Sequence, residues 1–262
     1  MECNTTTTMN ALILAAGFGT RLESTLNSYQ GRHKEQLIKW VKDKPKGLVP
    51  IEGKPIVSHQ LDQLRKAGVE LNNIYVQTNQ KYYHQFLEWA VEAGIPEDNV
   101  LNNGVTKNED RKEQTQDMLL AIAKIGYDKP LFLFASDTLV YEERNELLNL
   151  LPMVQIYQQE NLSCVVVYYK ENGASNHGVI TIDEHDKLTS FKEKPLNVIS
   201  GLVNASVYIF SPEKLRQMQQ FSAELLKCKN PLELVNDRFK VIPASSRLDI
   251  GTIDDVLKAN GL

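Results

Sequence analysis

Short apolar segments alternate with helical segments through the first half of the chain, and this alternation restricts the fold more than any other feature. The first apolar segment, residues 11–16, is unbroken, which is the pattern of a strand buried on both faces. Similar patterns predict further strands at 74–76, 99–101 and 131–134 and helices at 32–42, 56–67, 82–93 and 113–125. Strands that alternate with helices indicate βαβ units, and therefore a parallel sheet with helices on both faces.

The second half of the chain has a different pattern, in which strands follow one another more closely. A helix that Pro152 interrupts is predicted at 142–158. Further strands are predicted at 162–169, 179–182, 188–191 and 202–210, and short helices at 212–219 and 254–260. We therefore expect one α/β domain over residues 10–262, in which the later strands add mixed pairing to a parallel core.

The composition excludes several classes of protein. Of the 262 residues, 42% are hydrophobic and 24% are charged, as in an ordinary folded domain. The net charge of -4 argues against a general binder of nucleic acid or of anionic membranes, because both need a basic excess. No apolar run approaches the roughly 18 residues that span a bilayer, and Cys3, Cys164 and Cys228 form no CxxC pair. We expect a soluble cytoplasmic protein with a disordered leader at residues 1–9.

A glycine-rich turn directly follows the first predicted strand. The segment from Leu14 to Leu22 turns on Gly17 and Gly19, and such turns let consecutive backbone N–H groups face a phosphate. Arg21 adds a permanently charged guanidinium suited to phosphate oxygens. The segment is neither a Walker loop nor a complete dinucleotide fingerprint, since GxxxxGK[ST] and the third glycine are absent. Taken alone, the segment either binds phosphate or is only a tight turn.

Lys46 is a second candidate for phosphate binding. It lies between Pro45 and a short extended segment at 48–51, so the backbone is expected to fix the direction of its side chain. A fixed ammonium beside a phosphate-binding turn suits a triphosphate. The alternative is a solvated surface lysine, because most lysines are exposed. We expect Lys42, Lys44 and Lys54 to be surface lysines of this kind.

These two segments, together with later ones, resemble the signature of the sugar-1-phosphate nucleotidyltransferase superfamily. The resemblance rests on 14–22, Pro45-Lys46, Phe134-Ala135-Ser136-Asp137, Phe191-Lys192-Glu193-Lys194-Pro195, 203–210 and Arg247-Leu248-Asp249-Ile250-Gly251-Thr252. It covers residues 10–256, and elements in the right order are more specific than any one of them. It implies a Rossmann-like three-layer sandwich of the nucleotide-diphospho-sugar transferase type, with a mostly parallel, mixed sheet.

The resemblance also implies a reaction, in which an NTP and a sugar 1-phosphate give an NDP-sugar and pyrophosphate. The acceptor is already an anion, so the reaction needs concentrated positive charge and no general base. The residues that the resemblance makes catalytic are Arg21, Lys46 and Lys194, and those that would hold Mg²⁺ are Asp137 and Asp249. The triphosphate would lie on Leu14, Ala15, Ala16, Gly17, Gly19 and Thr20, and the sugar on Glu193, Asn204 and Gly178.

Each of these roles has a structural alternative. Asp137 could cap a following helix, and Asp249 could be a turn residue. Glu193 and Lys194 could form a surface ion pair that contributes little. Asn204 could satisfy a neighbouring backbone group within an apolar strand.

The chain departs from the family in two places. Leu22 and Lys46 are 24 positions apart, which is longer than the family's usual connection. The extra segment, residues 23–43, could be a lid over the nucleotide, a contact in a homodimer, or a specificity loop. It could also be a helix that packs Leu37, Ile38 and Val41 on the domain or on a second subunit. The polar segment 102–110 stands where relatives have a Gly-Thr-Ala turn, so the nucleobase is left open.

Two other functions are alternatives. One is a cytidylyltransferase that acts on another phosphate monoester, such as phosphocholine, and shares Pro-Lys-Gly-Leu. The other is a regulatory homologue that binds an NDP-sugar without catalysis, which the combined presence of Arg21, Lys46, Asp137 and Asp249 argues against. The five histidines share no metal-ligand spacing and are expected to be structural, with His177 the nearest to a substrate.

Overall fold

The computed structural model describes residues 8–234 and 236–262. Cys3 and residues 1–7 of the expected leader lie outside the described residues, whereas Met9, also expected in that leader, is buried in the core. The strands, in chain order, are β1 (Asn10–Ala15), β2 (Pro50–Ile51), β3 (Lys54–Pro55), β4 (Ile74–Thr78), β5 (Val100–Asn102), β6 (Leu131–Ala135), β7 (Thr138–Tyr141), β8 (Ser163–Lys170), β9 (Gly178–Ile182), β10 (Leu188–Glu193), β11 (Gly201–Phe210), β12 (Phe239–Ala244) and β13 (Ser246–Asp249). The α-helices are α1 (Thr20–Ser28), α2 (Lys34–Val41), α3 (Ile56–Lys66), α4 (Tyr83–Glu92), α5 (Gln114–Ile125), α6 (Leu151–Glu160), α7 (Pro212–Gln220), α8 (Ser222–Leu225) and α9 (Ile253–Ala259).

A nine-stranded mixed sheet forms the centre of the molecule. Its path runs β10-β9-β11-β6-β1-β4-β5, with β8 paired to β11 and β12 paired to β8. Within this sheet, β1 pairs in parallel with β4 and β6, β4 pairs in parallel with β5, and β11 joins them antiparallel to β6. The predicted α/β fold, with later strands adding mixed pairing to a parallel core, is thus confirmed.

Strand β1 shows why the fold has three layers. Its alternate residues Ala11, Ile13 and Ala15 belong to one hydrophobic core, and Leu12 and Leu14 belong to another on the opposite face. Helices α3, α4 and α6 cover the first core, and α5 and α7 cover the second. From Ala11 to Ala15 the strand carries only apolar side chains and is buried on both faces, as the sequence predicts.

The helix predicted at 142–158 is wrong in its first half. Residues 138–141 form β7, a one-turn 3₁₀ helix follows at Glu143–Asn145, and α6 begins only at Leu151. Pro152 stands in the first turn of α6, where the missing N–H would have had no helical partner, so this proline starts the helix and does not interrupt it.

The segment 23–43 contains two helices where the sequence predicts one. Helix α1 begins just before it, at Thr20, and ends inside it, whereas α2 corresponds to the helix predicted at 32–42. Both pack into a third hydrophobic core with α9 and β7, through the buried residues Leu22, Leu26, Leu37 and Val41. Among the described residues, no helix combines the length and the apolar character that crossing a bilayer requires.

Candidate functional site

Two neighbouring cavities open at the edge of the sheet where β1 and β6 end. Ligands of open α/β sheets bind beyond the carboxyl ends of the strands, so this is the expected edge. The smaller cavity encloses about 350 Å³ and the larger about 680 Å³. Arg21 lines both of them and therefore marks their junction.

The smaller cavity collects the residues predicted for the triphosphate. Its lining is Leu14, Ala15, Gly17, Phe18, Gly19, Thr20, Arg21, Lys46, Asn108, Arg111, Ser136 and Asp137. Ala16 is the one predicted backbone position that does not line it, and its carbonyl oxygen accepts a hydrogen bond from Asn79 Nδ2 at 2.9 Å. Gly19 has φ +66° and precedes α1, whose first N–H groups have no partner inside the helix. These donors and the helix dipole favour an anion in this cavity.

Lys46 reaches this cavity from a one-turn 3₁₀ helix, Lys46–Leu48, and the extended segment predicted at 48–51 is a strand only at Pro50–Ile51. Its Nζ lies 2.9 Å from Asp137 Oδ2. Gly47 lets the turn pack closely, because a Cβ at this position would lie 2.8 Å from Val57 Cγ1 and 3.0 Å from Ser136 Cβ. Although burial raises the pKa of Asp137, the Lys46 ammonium and its hydrogen bond outweigh burial and lower that pKa below its ordinary value.

Arg21 is held in place by the closing motif. Its Nε donates to the carbonyl oxygen of Gly251 at 3.1 Å. A Cβ on Gly251 would lie 2.2 Å from Arg21 Nη2, so a larger residue would displace the guanidinium from this position. The glycine two residues after Asp249 thus fixes the arginine between the two cavities.

The larger cavity collects the residues predicted for the sugar. Its lining is Arg21, Gln114, Asn176, His177, Gly178, Glu193, Lys194, Asn204, Ser206, Lys229, Asn230, Arg247 and Asp249. Glu193 pairs with Gly178 across β9 and β10, and the backbone N–H of Lys194 donates to the carbonyl of His177 at 3.1 Å. A Cβ on Gly178 would lie 2.5 Å from the Phe191 ring, so any side chain at this position would force the ring to move. Burial raises the pKa of Glu193.

Asn204 lines this cavity, but its amide is engaged within the protein. Its Oδ1 accepts a hydrogen bond from the Ser206 N–H at 2.8 Å, and its Nδ2 donates to the Tyr208 hydroxyl. Ser206 has φ +61°, and the pairing of β11 with β8 shifts register between Asn204 and Tyr208. The side-chain oxygen of Asn204 therefore supports a neighbouring backbone group, which is the structural alternative considered for this residue.

Asp137, which directly precedes β7, and Asp249, which ends β13, approach each other because these two strands pair. Asp249 ends β13 opposite Thr138 of β7, and the Ile250 N–H donates to the Asp137 carbonyl at 3.1 Å. Burial raises the pKa of Asp249 and the charge of Asp137 raises it further, which is the behaviour of two close carboxylates. Asp249 also pairs with Arg247 Nη2 at 3.0 Å.

The carboxylate pair fits a hard divalent cation. Among residues 8–234 and 236–262, no group of three or more His, Cys, Asp or Glu side chains could hold a metal. The chain therefore offers two carboxylates here, and further oxygen ligands would have to come from substrate phosphate and water, as is usual for Mg²⁺. A cation between them would also relieve the repulsion that raises the pKa of Asp249.

Two of the structural alternatives, a helix cap by Asp137 and an ion pair between Glu193 and Lys194, do not occur among the described residues. Asp137 caps no helix, because β7 follows it directly. In the part of the chain that the structure describes, no salt bridge joins Glu193 to Lys194.

Several lining residues escape prediction from the sequence. Arg247 has a detectable signal, since it precedes Asp249 by two positions on a strand and thus shares its face. The others come from loops, from one-turn 3₁₀ helices, from the first residue of α5 and from the irregular middle of β11; they are Asn108, Arg111, Ser136, Gln114, Asn176, Ser206, Lys229 and Asn230.

The known proteins similar to this chain are named as nucleotidyl transferases. The family profile described as nucleotidyl transferase matches residues 35–261. The chain is 28% identical over 215 residues to the mannose-1-phosphate guanylyltransferase catalytic subunit beta of Danio rerio, covering 80% of this chain and 52% of that protein. It is 26% identical over 214 residues to a bifunctional sugar-1-phosphate nucleotidylyltransferase/acetyltransferase of Sulfurisphaera tokodaii, covering 82% and 44%. The chain thus spans about half the length of the curated relatives it matches.

Solved structures share the fold. A ligand-free UDP-glucose pyrophosphorylase superposes with a TM-score of 0.66 at 18% identity, covering 97% of each chain. HddC from Yersinia pseudotuberculosis, complexed with GMP-PN, superposes with a TM-score of 0.60 at 19% identity, covering 97% of this chain and 98% of that chain. At these identities the similarity supports the architecture alone.

Proposed function

We propose that this chain, which belongs to the nucleotidyl transferase family, transfers a nucleotidyl group from an NTP to a sugar 1-phosphate and releases pyrophosphate. One observation carries the proposal: a cavity suited to phosphate and a larger polar cavity share Arg21, and Asp137 and Asp249 line one cavity each. Such an arrangement suits a reaction in which two phosphate groups must meet. The names of the relatives agree with it.

The smaller cavity would hold the NTP. The backbone from Leu14 to Thr20 and the amino end of α1 would bind the triphosphate. Lys46 would contact the α-phosphate, and Arg21, at the junction, would neutralise the leaving pyrophosphate. Their charges act where water is partly excluded, so they stabilise an anionic transition state more than they would in bulk water.

The larger cavity would hold the sugar 1-phosphate. Lys194 would bind its phosphate, while Glu193 and the backbone at Gly178 would bind ring hydroxyls. Asn204 would act by holding the β11 bulge that forms part of the cavity wall. Neutral polar side chains make up much of the rest of the lining, which suits a molecule with several hydroxyl groups.

The chemical step is an in-line displacement. An oxygen of the acceptor phosphate attacks the α-phosphorus, and the bond from that phosphorus to the pyrophosphate oxygen breaks. Asp137 and Asp249 would hold Mg²⁺, which when bound supplies positive charge against the repulsion of the two phosphate groups. No proton has to leave the acceptor, so the site needs no general base.

The lining also separates this proposal from the phosphocholine alternative. A quaternary ammonium group is usually bound against aromatic faces. The described residues that line the larger cavity include no Phe, Tyr or Trp. Hydroxyl-rich acceptors therefore fit this cavity better than choline does.

The test is pyrophosphate release, measured for the full chain with Mg²⁺ across the common NTPs and a panel of phosphate acceptors. We expect turnover with at least one sugar 1-phosphate, mannose 1-phosphate and glucose 1-phosphate included in the panel, and none with phosphocholine. Turnover with phosphocholine alone would replace the proposal by the cytidylyltransferase alternative. Tight binding of an NDP-sugar without any turnover would favour the regulatory alternative.

A further inference from the structure

His177 is a lining residue to which the proposed function gives no role. It directly precedes Gly178 at the start of β9, and its ring lies edge-on to Tyr168 with the ring centroids 6.4 Å apart. The histidine is half-buried and lines the larger cavity. Packing against Tyr168 therefore accounts for one side of the imidazole only.

The backbone of His177 is fixed from two directions. Its N–H donates to the Ala174 carbonyl at 3.0 Å, and its carbonyl accepts the Lys194 N–H at 3.1 Å. The second contact ties it to the residue proposed to bind the acceptor phosphate. A ring attached to such a backbone is held at the wall of the larger cavity, and a group that determines specificity has to be fixed in this way.

The ring nitrogens have no protein partner among the residues that the structure describes. The groups that face the imidazole include the cations Lys170, Lys194 and Arg247. Burial, with these three charges, lowers the pKa of His177 to about 4. The imidazole is therefore neutral near pH 7, with one nitrogen able to donate a hydrogen bond and the other able to accept one.

We propose that the imidazole of His177 determines which sugar 1-phosphate is accepted, by forming a hydrogen bond with one ring hydroxyl of the acceptor. This inference rests on the proposed function. It also explains why a half-buried, neutral, polar ring stands at a cavity lined by Glu193 and Lys194. A site that offers a hydrogen bond to a hydroxyl discriminates against an acceptor that lacks the hydroxyl or carries it in the other orientation.

The experiment compares His177→Phe, which keeps a planar ring, with His177→Gln, which keeps a polar side chain. The assay is kcat/KM for the best sugar 1-phosphate and for its deoxy analogues, one ring position at a time. We expect His177→Phe to lose about tenfold on the parent acceptor, the effect of one neutral hydrogen bond, and His177→Gln to lose less. On one deoxy analogue the wild type and His177→Phe should be equal, and the KM for the NTP should not change.

The control is His185→Phe, because His185 lies in the exposed turn between β9 and β10 and lines neither cavity. The loss in His177→Phe should stay constant from about pH 6 to pH 9, since the imidazole stays neutral there.

Equal losses on every deoxy analogue would overturn the proposal and leave packing on Tyr168 as the role of the ring. If His177→Phe does not fold, His177→Gln must still change the relative kcat/KM values of the analogues, and an unchanged ranking overturns the proposal. If the wild type turns over no sugar 1-phosphate, the proposed function fails and this inference fails with it, whereas turnover with equal losses removes this inference alone.

Discussion

At the scale of single residues, the ion pair between Lys46 and Asp137 lies at the centre of the proposed chemistry. Lys46 Nζ is 2.9 Å from Asp137 Oδ2 and lines the smaller cavity. We predict that Lys46→Ala lowers kcat by at least about 10², the effect of losing one preorganised charge. Because the substitution also leaves the partly buried Asp137 carboxylate without its cationic partner, the melting temperature should fall as well, and kcat is measured at a temperature where the variant is folded.

The matched control for this prediction is Lys54→Ala. Lys54 belongs to the same lysine-rich segment, but it pairs with Asp62 at an exposed position and lines neither cavity. Its substitution should leave kcat unchanged. Near-normal turnover of a folded Lys46→Ala variant would remove Lys46 from the site.

The two carboxylates differ in pKa, which predicts a pH dependence of metal binding. The pKa of Asp137 is lowered by Lys46, whereas burial and the charge of Asp137 raise the pKa of Asp249. A bound cation needs both groups ionised, so affinity should fall first as the pH drops towards the raised pKa of Asp249. We predict that Asp249→Asn weakens Mn²⁺ binding and removes this pH dependence.

Electron paramagnetic resonance of Mn²⁺ between about pH 5 and pH 8 measures the effect without any turnover. Asp254→Asn is the control, because Asp254 is an exposed residue of α9 close in sequence. Asp137→Asn should weaken binding as well. Equal Mn²⁺ affinity in the wild type and in Asp249→Asn would show that the two aspartates share no metal.

At the scale of elements, the segment 23–43 is best explained by the third hydrophobic core. Leu37 is fully buried, whereas the adjacent Ile38 is 38% exposed. We predict that Leu37→Ala lowers the free energy of unfolding by about 2–5 kcal/mol, and that Ile38→Ala has a much smaller effect. Denaturant unfolding measures both, and the KM for the NTP should be the same in both variants.

The lid hypothesis for this segment makes the opposite prediction. Replacing residues 23–43 by a short connection would raise the KM for the NTP and largely keep the stability of the fold. Because α1 and α2 contribute Leu26, Leu37 and Val41 to a core shared with α9, we expect this replacement to lower the melting temperature instead. A raised KM with unchanged stability would favour the lid.

The sequence predicts those elements whose hydrophobic pattern lies within one short stretch of the chain. The unbroken run of β1 and the spacing of α3 to α5 are local, and these elements lie within a residue or two of the prediction. Strands β7 and β13 have only four residues each, and they are defined by pairing with each other across more than a hundred residues. Helix α1 buries only Leu22 and Leu26, one turn apart, so its periodic signal is too short to recognise.

The same distinction applies to the site. The motif residues of both cavities can be predicted because each belongs to a short motif of consecutive residues. Arg111 and Lys229 come from loops, whose course depends on the packing of distant elements. Only the structure brings them to the cavities.

At the scale of the whole molecule, the two cavities meet at Arg21, which the Gly251 carbonyl holds in place. The NTP and the acceptor would each occupy one cavity, whereas the product carries the nucleotide and the sugar in one molecule. An NDP-sugar therefore has to span both cavities. Binding of the NDP-sugar should therefore depend on residues of both cavities, whereas each substrate depends on the residues of one cavity.

This dependence gives a prediction that needs no catalysis, because each ligand is titrated alone by calorimetry. Lys46→Ala should weaken binding of the NTP and of the NDP-sugar product, since Lys46 lines the smaller cavity only. His177→Phe should weaken binding of the sugar 1-phosphate and of the NDP-sugar, since His177 lines the larger cavity only. The NDP-sugar should also displace both substrates from the free protein, while pyrophosphate should displace the NTP alone. If one of the two substitutions leaves the binding of the NDP-sugar unchanged, or if the NDP-sugar displaces only one substrate, then no single ligand joins the cavities through Arg21.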